Sequence, residues 1–180
     1  MKLIYVIPMG DVDTDIVESA AVSLWHTFGL EVRQTEPMEM PPDAFEKKRM
    51  QYSSIEILRA LNKSAPKDAF RVLAITDKDL FIPVLSFVYG HAQFEGKTGI
   101  VSTARLRQEF YGFPEDRSTL MTRVVKEVVH ETGHLFGLTH CNDTACPMTL
   151  STNIRMLDRK GVSLCESCTL LLKENMLEKF

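Results

Sequence analysis

A mixed α/β (α+β) fold whose sheet has parallel character is what this sequence predicts, on three observations. Apolar, β-branched strands alternate with amphipathic helices through the first half of the chain. A long helix with a wide apolar stripe opens near Pro114. Beyond Gly137 the chain is loop-like and carries all 4 cysteines until a last amphipathic helix. At 180 residues the chain can bury a sizeable core as one domain, with an upper lobe over about 1–137 and a lower lobe over about 138–180.

Lys2 to Ile7 is apolar without helical period and suits a strand buried on both faces, followed by a turn at Pro8-Met9-Gly10. Asp15 to Phe28 sets Ile16, Ala20, Val22, Leu24 and Trp25 at near-helical spacing, and Gly29 ends that helix. Asp11, Asp13 and Asp15 at its entrance are expected to act as caps rather than as a metal loop, because the glycine and distal glutamate of a calcium loop are missing. Leu30 to Gln34 reads as a second strand, and the proline-bearing Thr35 to Asp43 as a loop. A helix follows over Ser53 to Leu61, with Ile55, Ile57, Leu58 and Leu61 on its inner side. Strands are expected at Phe70 to Thr76, around Val84 to Ala92, and at Ile100 to Thr103. The long helix then begins at Pro-Glu-Asp-Arg-Ser, carrying Leu120, Val124, Val128 and the Val125/Val129 pair. The last helix spans Ser167 to Phe180, with Leu170, Leu171, Leu172, Met176 and Leu177 as its apolar residues.

Composition narrows the function classes. A hydrophobic fraction of 44%, a charged fraction of 25% and a net charge of -3 are those of an ordinary soluble protein and give no basis for a nucleic-acid or membrane partner. The N-terminal apolar run is broken by Pro8 and Gly10 and followed by acidic residues, so it reads as a strand and not a signal peptide. No apolar run approaches the roughly 18–20 residues that span a bilayer. A cytoplasmic monomer is expected, its cysteines reduced and available to a metal.

The chemistry is concentrated in HETGHLFGLTH, His130 to His140. Histidines at i and i+4 project from one helix face, so His130 and His134 can reach a single zinc ion. Gly137 stops the helix and lets the chain return His140 to the same ion. Glu131, beside the first ligand, is placed to deprotonate a zinc-activated water. An HExxH string arises by chance on ordinary helices, but the added Gly137 and His140 at these offsets make a zinc site the better reading. His26 and His91 are expected to be a surface residue and a strand residue without metal roles.

Cys141 follows His140 directly and raises a choice. If it joined the three histidines, the zinc would have four protein ligands and no open position, making a structural site. If it instead met Cys146, Cys165 and Cys168, whose C-x-x-C spacing is a zinc-knuckle feature, a second, four-thiolate zinc would result. Two disulfides or four unrelated thiols remain the bland alternatives. A redox role for the C-x-x-C pair lacks the βαβ setting it needs.

The run HETGHLFGLTHCNDTACPM, followed by CESC, resembles the archaemetzincins, a branch of the metzincin zinc peptidases, and the resemblance extends over the whole chain. It implies that His130, His134 and His140 bind the catalytic zinc with Glu131 as general base, and that Cys141, Cys146, Cys165 and Cys168 bind a structural zinc, two ions per chain. It makes Met148 the methionine of a tight turn beneath the metal; from the residues alone Met148 reads as core. It also implies a metzincin-like zincin with a twisted, mostly parallel sheet, its antiparallel edge strand falling within Val84 to Gln93 and able to pair with a peptide substrate. Thr149, Leu150 and Ser151 follow Met148 where many secreted metzincins carry an assisting tyrosine.

The expected activity is zinc-dependent hydrolysis of peptide or protein substrates, with aminopeptidase-like behaviour in some relatives. A zinc-dependent peptide-binding or regulatory module without turnover is the alternative, and the presence of Glu131 argues against it. A zinc-ribbon nucleic-acid binder would need a basic, aromatic face. The cysteine segment instead sets Arg155, Arg159 and Lys160 against Asp143, Asp158 and Glu166, with no aromatic.

Overall fold

The computed structural model describes residues 2–178. Among them, β1 (Leu3–Met9), β2 (Glu31–Gln34), β5 (Ala69–Thr76), β7 (Gly90–Ala92) and β8 (Thr98–Ser102) form a sheet in the order β2-β1-β5-β8-β7. All pairings are parallel except β7 with β8, which is antiparallel, so the sheet is mostly parallel with one reversed edge. A small second sheet joins β3 (Phe45–Glu46), β4 (Gln51–Ser53) and β6 (Leu80–Phe81).

β1 and β5 are covered on both faces, as their uninterrupted apolar runs require. On one face, α1 (Thr14–Phe28) and α3 (Arg117–Leu135) pack over Ile4, Val6, Leu73 and Ile75. On the other, α2 (Ser54–Ser64) covers Ile7, Val72, Ala74 and Ile100 through Ile57, Leu58 and Leu61. The first core runs on into the C-terminal segment through Phe136, Leu138, Cys146, Met148, Leu157 and Leu172. That continuity joins α4 (Ile154–Arg159) and α5 (Glu166–Glu178) to the end of α3.

Several local expectations change. β1 continues through Pro8 to Met9, because Pro8 needs only its carbonyl there and offers it to Met38 N at 2.9 Å; the turn falls on Gly10, at φ 83°. Asp13 occupies the N-cap position of α1 but makes no side-chain cap bond. Its carboxylate and that of Asp15 instead grip Arg117 in the first turn of α3, Asp13 at 2.6 Å, tying the two helix starts together. The strand expected around Val84 to Ala92 is reduced to Gly90–Ala92, since Pro83 turns the chain and Leu85 N closes on Ile82 O at 3.0 Å. Val22, Trp25, Ile55, Leu170, Leu171 and Leu177 are exposed, so the helices bury narrower stripes than their sequences offer. Residues 179 and 180 of the expected last helix lie outside the described residues.

Candidate active site

α3 starts on a firm cap and ends where it must. The Asp116 carboxylate accepts Thr119 N at 3.0 Å and Thr119 Oγ1 at 2.7 Å, bonds that pull its pKa down to about 2. At the other end, Leu138 N closes on Gly133 O at 2.9 Å and Gly137 takes φ 79°, reversing the chain. Asn175 of α5 donates to the Phe136 carbonyl at the helix end, at 2.9 Å. The reversal sends His140 back beside the helix.

The structure brings His130, His134 and His140 together, with potential ligand atoms within 4.8 Å of one another. His130 Nδ1 lies 2.8 Å from Pro147 O, and His134 Nδ1 lies 2.8 Å from Leu138 O. A carbonyl can only accept, so both Nδ1 atoms carry the proton and both Nε2 atoms present a lone pair. These two Nε2 atoms face each other at 3.1 Å, an arrangement that repels unless a cation lies against both. Burial lowers the pKa of all three imidazoles, most strongly for His130, which favours the neutral form a metal needs. The donor set therefore fits zinc.

Glu131 is buried on the cleft side of α3. Desolvation raises its carboxyl well above the ordinary range, the nearby Glu127 charge adds to this, and Lys160 opposes it. Gly90 of β7 leaves room for it: a Cβ there would fall 2.5 Å from Glu131 Cγ and 2.6 Å from Oε1. Gly133, inside the motif, likewise leaves room for Met148, whose sulfur a Cβ would overlap. Met148 is fully buried against the helix, in a turn where Thr149 N donates to Cys146 O at 3.0 Å and Cys141 N to Met148 O at 3.1 Å.

Cys141, Cys146, Cys165 and Cys168 converge separately from the histidines, all free, with sulfurs within 4.8 Å of one another and Cys141 Sγ 3.7 Å from Cys165 Sγ. Burial pushes the Cys146 and Cys168 thiols up, while a backbone hydrogen bond from Cys168 pulls Cys165 down. Four soft donors at this separation also fit zinc. Cys141 thus groups with the other cysteines and not with its sequence neighbour His140.

The histidines open into a cleft of about 450 Å³. β7 borders it through Gly90, His91 and Ala92, and Leu85, Phe87 and Leu150 give it apolar walls. Three of its residues escaped sequence reading. His91, expected to be a plain strand residue, hydrogen-bonds Ser54 Oγ at 2.9 Å and lines the cleft. Glu127 lies four residues before Glu131, a helical repeat legible in hindsight, whereas Lys160 reaches the cleft only through tertiary packing.

A mostly parallel sheet with a reversed edge strand, bordering a cleft of three imidazoles and a buried glutamate, defines the class of zinc-dependent peptidases. Residues 22–174 match Peptidase family M54. The archaemetzincin of Methanocaldococcus jannaschii is 35% identical over 93% of this chain and 90% of its own. The crystal structure of archaemetzincin from Methanopyrus kandleri superposes with a TM-score of 0.86 at 32% identity, covering 98% of this chain and 97% of that one. The crystal structure of a zinc-dependent peptidase from Methanocorpusculum labreanum gives 0.82 at 31% identity, covering 94% and 99%. The chain belongs to peptidase family M54, the archaemetzincins, and is a zinc metallopeptidase.

Gly90→Ala is expected to displace the Glu131 carboxylate and cut peptide turnover, while circular dichroism shows an intact fold. Turnover equal to the unmodified chain would mean that Glu131 does not depend on this close approach.

Proposed function

We propose that the chain hydrolyses peptide bonds in cytoplasmic peptides or proteins, as a monomer without nucleic-acid or membrane partners, using one catalytic zinc on His130, His134 and His140. The observation that carries this reading is the pair of Nε2 lone pairs facing at 3.1 Å, each imidazole oriented by a carbonyl on its other nitrogen. Zinc bound there would supply Lewis-acid polarisation of water and of the scissile carbonyl. Glu131 accepts the proton of the attacking water and returns it to the leaving amine. Its burial suits that task, because desolvation raises the carboxyl well above its ordinary range and makes the carboxylate a stronger base than an exposed one. The outer edge of β7 aligns the substrate main chain as an added strand, and the apolar walls at Leu85, Phe87 and Leu150 receive its side chains. No helix among the described residues is long and apolar enough to cross a membrane.

The second zinc, on Cys141, Cys146, Cys165 and Cys168, is structural: four thiolates leave no open position. It closes the C-terminal segment from residue 138 into a lower lobe and supports the first site through a short stretch of chain. Cys141 follows His140, and Cys146 precedes Pro147, whose carbonyl orients His130. Met148, next in line, forms the floor beneath the histidines.

Glu131→Ala is expected to retain zinc while losing about 10²–10⁴-fold in hydrolysis of a quenched peptide library. Undiminished turnover in that variant would remove Glu131 as the base. Replacing Cys165 and Cys168 by serine is expected to lower the melting temperature and to weaken zinc binding at the histidines as well. Unchanged affinity there, measured by chelator competition, would show the two sites to be independent.

A further inference from the structure

Within the cleft, Lys160 is a buried cation with no part in the chemistry above. Its side chain is 1% exposed, and its ammonium donates to Pro147 O at 3.0 Å and lies 3.8 Å from Glu127 Oε1. Pro147 O is the same carbonyl that accepts His130 Nδ1. One oxygen therefore takes a bond from a histidine of α3 and another from a lysine beyond α4. We propose that Lys160 is a positioning residue for the catalytic zinc site: by occupying the second lone pair of Pro147 O and neutralising Glu127, it fixes the direction in which His130 presents Nε2.

Three features of the surroundings support this. Glu127 and Glu131, i and i+4 on α3, place two buried carboxylates on the same helix face, and burying both without a cation would be costly. Lys160 is the lysine or arginine among the residues lining the cleft. The segment carrying it is itself held rigidly. Arg123 of α3 grips Asp158 through two bonds of 2.7 and 2.8 Å, and Lys126 donates to Asp158 O at 3.0 Å. Gly161 N, one residue on, donates to Ala145 O at 2.6 Å. A long flexible side chain thus starts from a fixed backbone on both sides, which limits the freedom of its ammonium. The ammonium gives Pro147 O a second fixed partner, and a carbonyl with two fixed donors has little freedom to tilt.

The inference rests on the three-histidine assignment, and the test separates the two. Lys160→Met, Lys160→Arg, Lys160→Met/Glu127→Leu and His134→Ala are compared in the full chain. Zinc affinity at the histidine site is read by chelator competition, and kcat and KM on a peptide library. Lys160→Met is expected to lose about 10- to 100-fold in zinc affinity and to lower kcat with KM little changed. Lys160→Arg, which keeps charge and donors, is expected to recover most of both. The double variant removes both charges of the pair, so it keeps the fold even where the single variant does not. It is nonetheless expected to bind zinc weakly, because Pro147 O has lost its second donor. Wild-type zinc affinity in either Met variant overturns the role of Lys160, as does a loss in Lys160→Met that Lys160→Arg fails to recover. His134→Ala retaining zinc at this site would instead overturn the three-histidine reading beneath it.

Discussion

The carbonyl of Pro147 is the point on which the arrangement of this molecule turns. It fixes the tautomer of His130 from behind, so that the opposite nitrogen faces the cleft. It belongs to a chain segment between Cys146 of one cluster and Met148, which packs against α3 at Gly133. His130 is carried by α3, whose place is set by the sheet; Pro147 is placed by the cysteine-bearing loop. The cleft geometry is right only if the two parts are in register, and the shared core through Phe136, Met148 and Leu172 keeps them so.

α3 carries two loads that pull against each other. Its Leu120, Val124 and Val128 complete the core against α1 and β5, while Glu127, His130 and Glu131 on the same helix are buried polar groups. Burying such groups is unfavourable unless each has a partner. The partners are carbonyls for His130 and His134 and Lys160 for Glu127, while Gly90 leaves the room that Glu131 occupies. Two glycines, Gly90 and Gly133, are needed for close approach, and Gly137 for its positive φ, so the backbone around the cleft tolerates little change.

Much of this was legible in the sequence, for reasons that differ by element. β1, α1, β5 and α3 announce themselves because a two-sided strand and a one-sided helix leave different periodicities. The grouping of the histidines follows from helical spacing plus one glycine, both local signals. The separate convergence of the cysteines was favoured over the other readings by the C-x-x-C spacing and implied again by the family resemblance, although nothing local says which way Cys141 turns. β3, β4 and β6 were missed because strands of two or three residues carry no period. The role expected of Asp13 as a cap was lost to a tertiary partner, Arg117, more than a hundred residues away. Lys160 was invisible for the same reason: a surface-type residue in a polar loop gives no hint that folding buries it.

In the proposed arrangement the adjacent residues His140 and Cys141 serve different zinc ions. X-ray absorption at the zinc edge of the metal-loaded chain reads this directly. The expected result is an average of four sulfurs, at about 2.3 Å, for every three imidazole nitrogens and one oxygen at about 2.0–2.1 Å. A spectrum of one sulfur to three nitrogens would put Cys141 on the histidine ion, close the water position, and contradict two separate zinc sites.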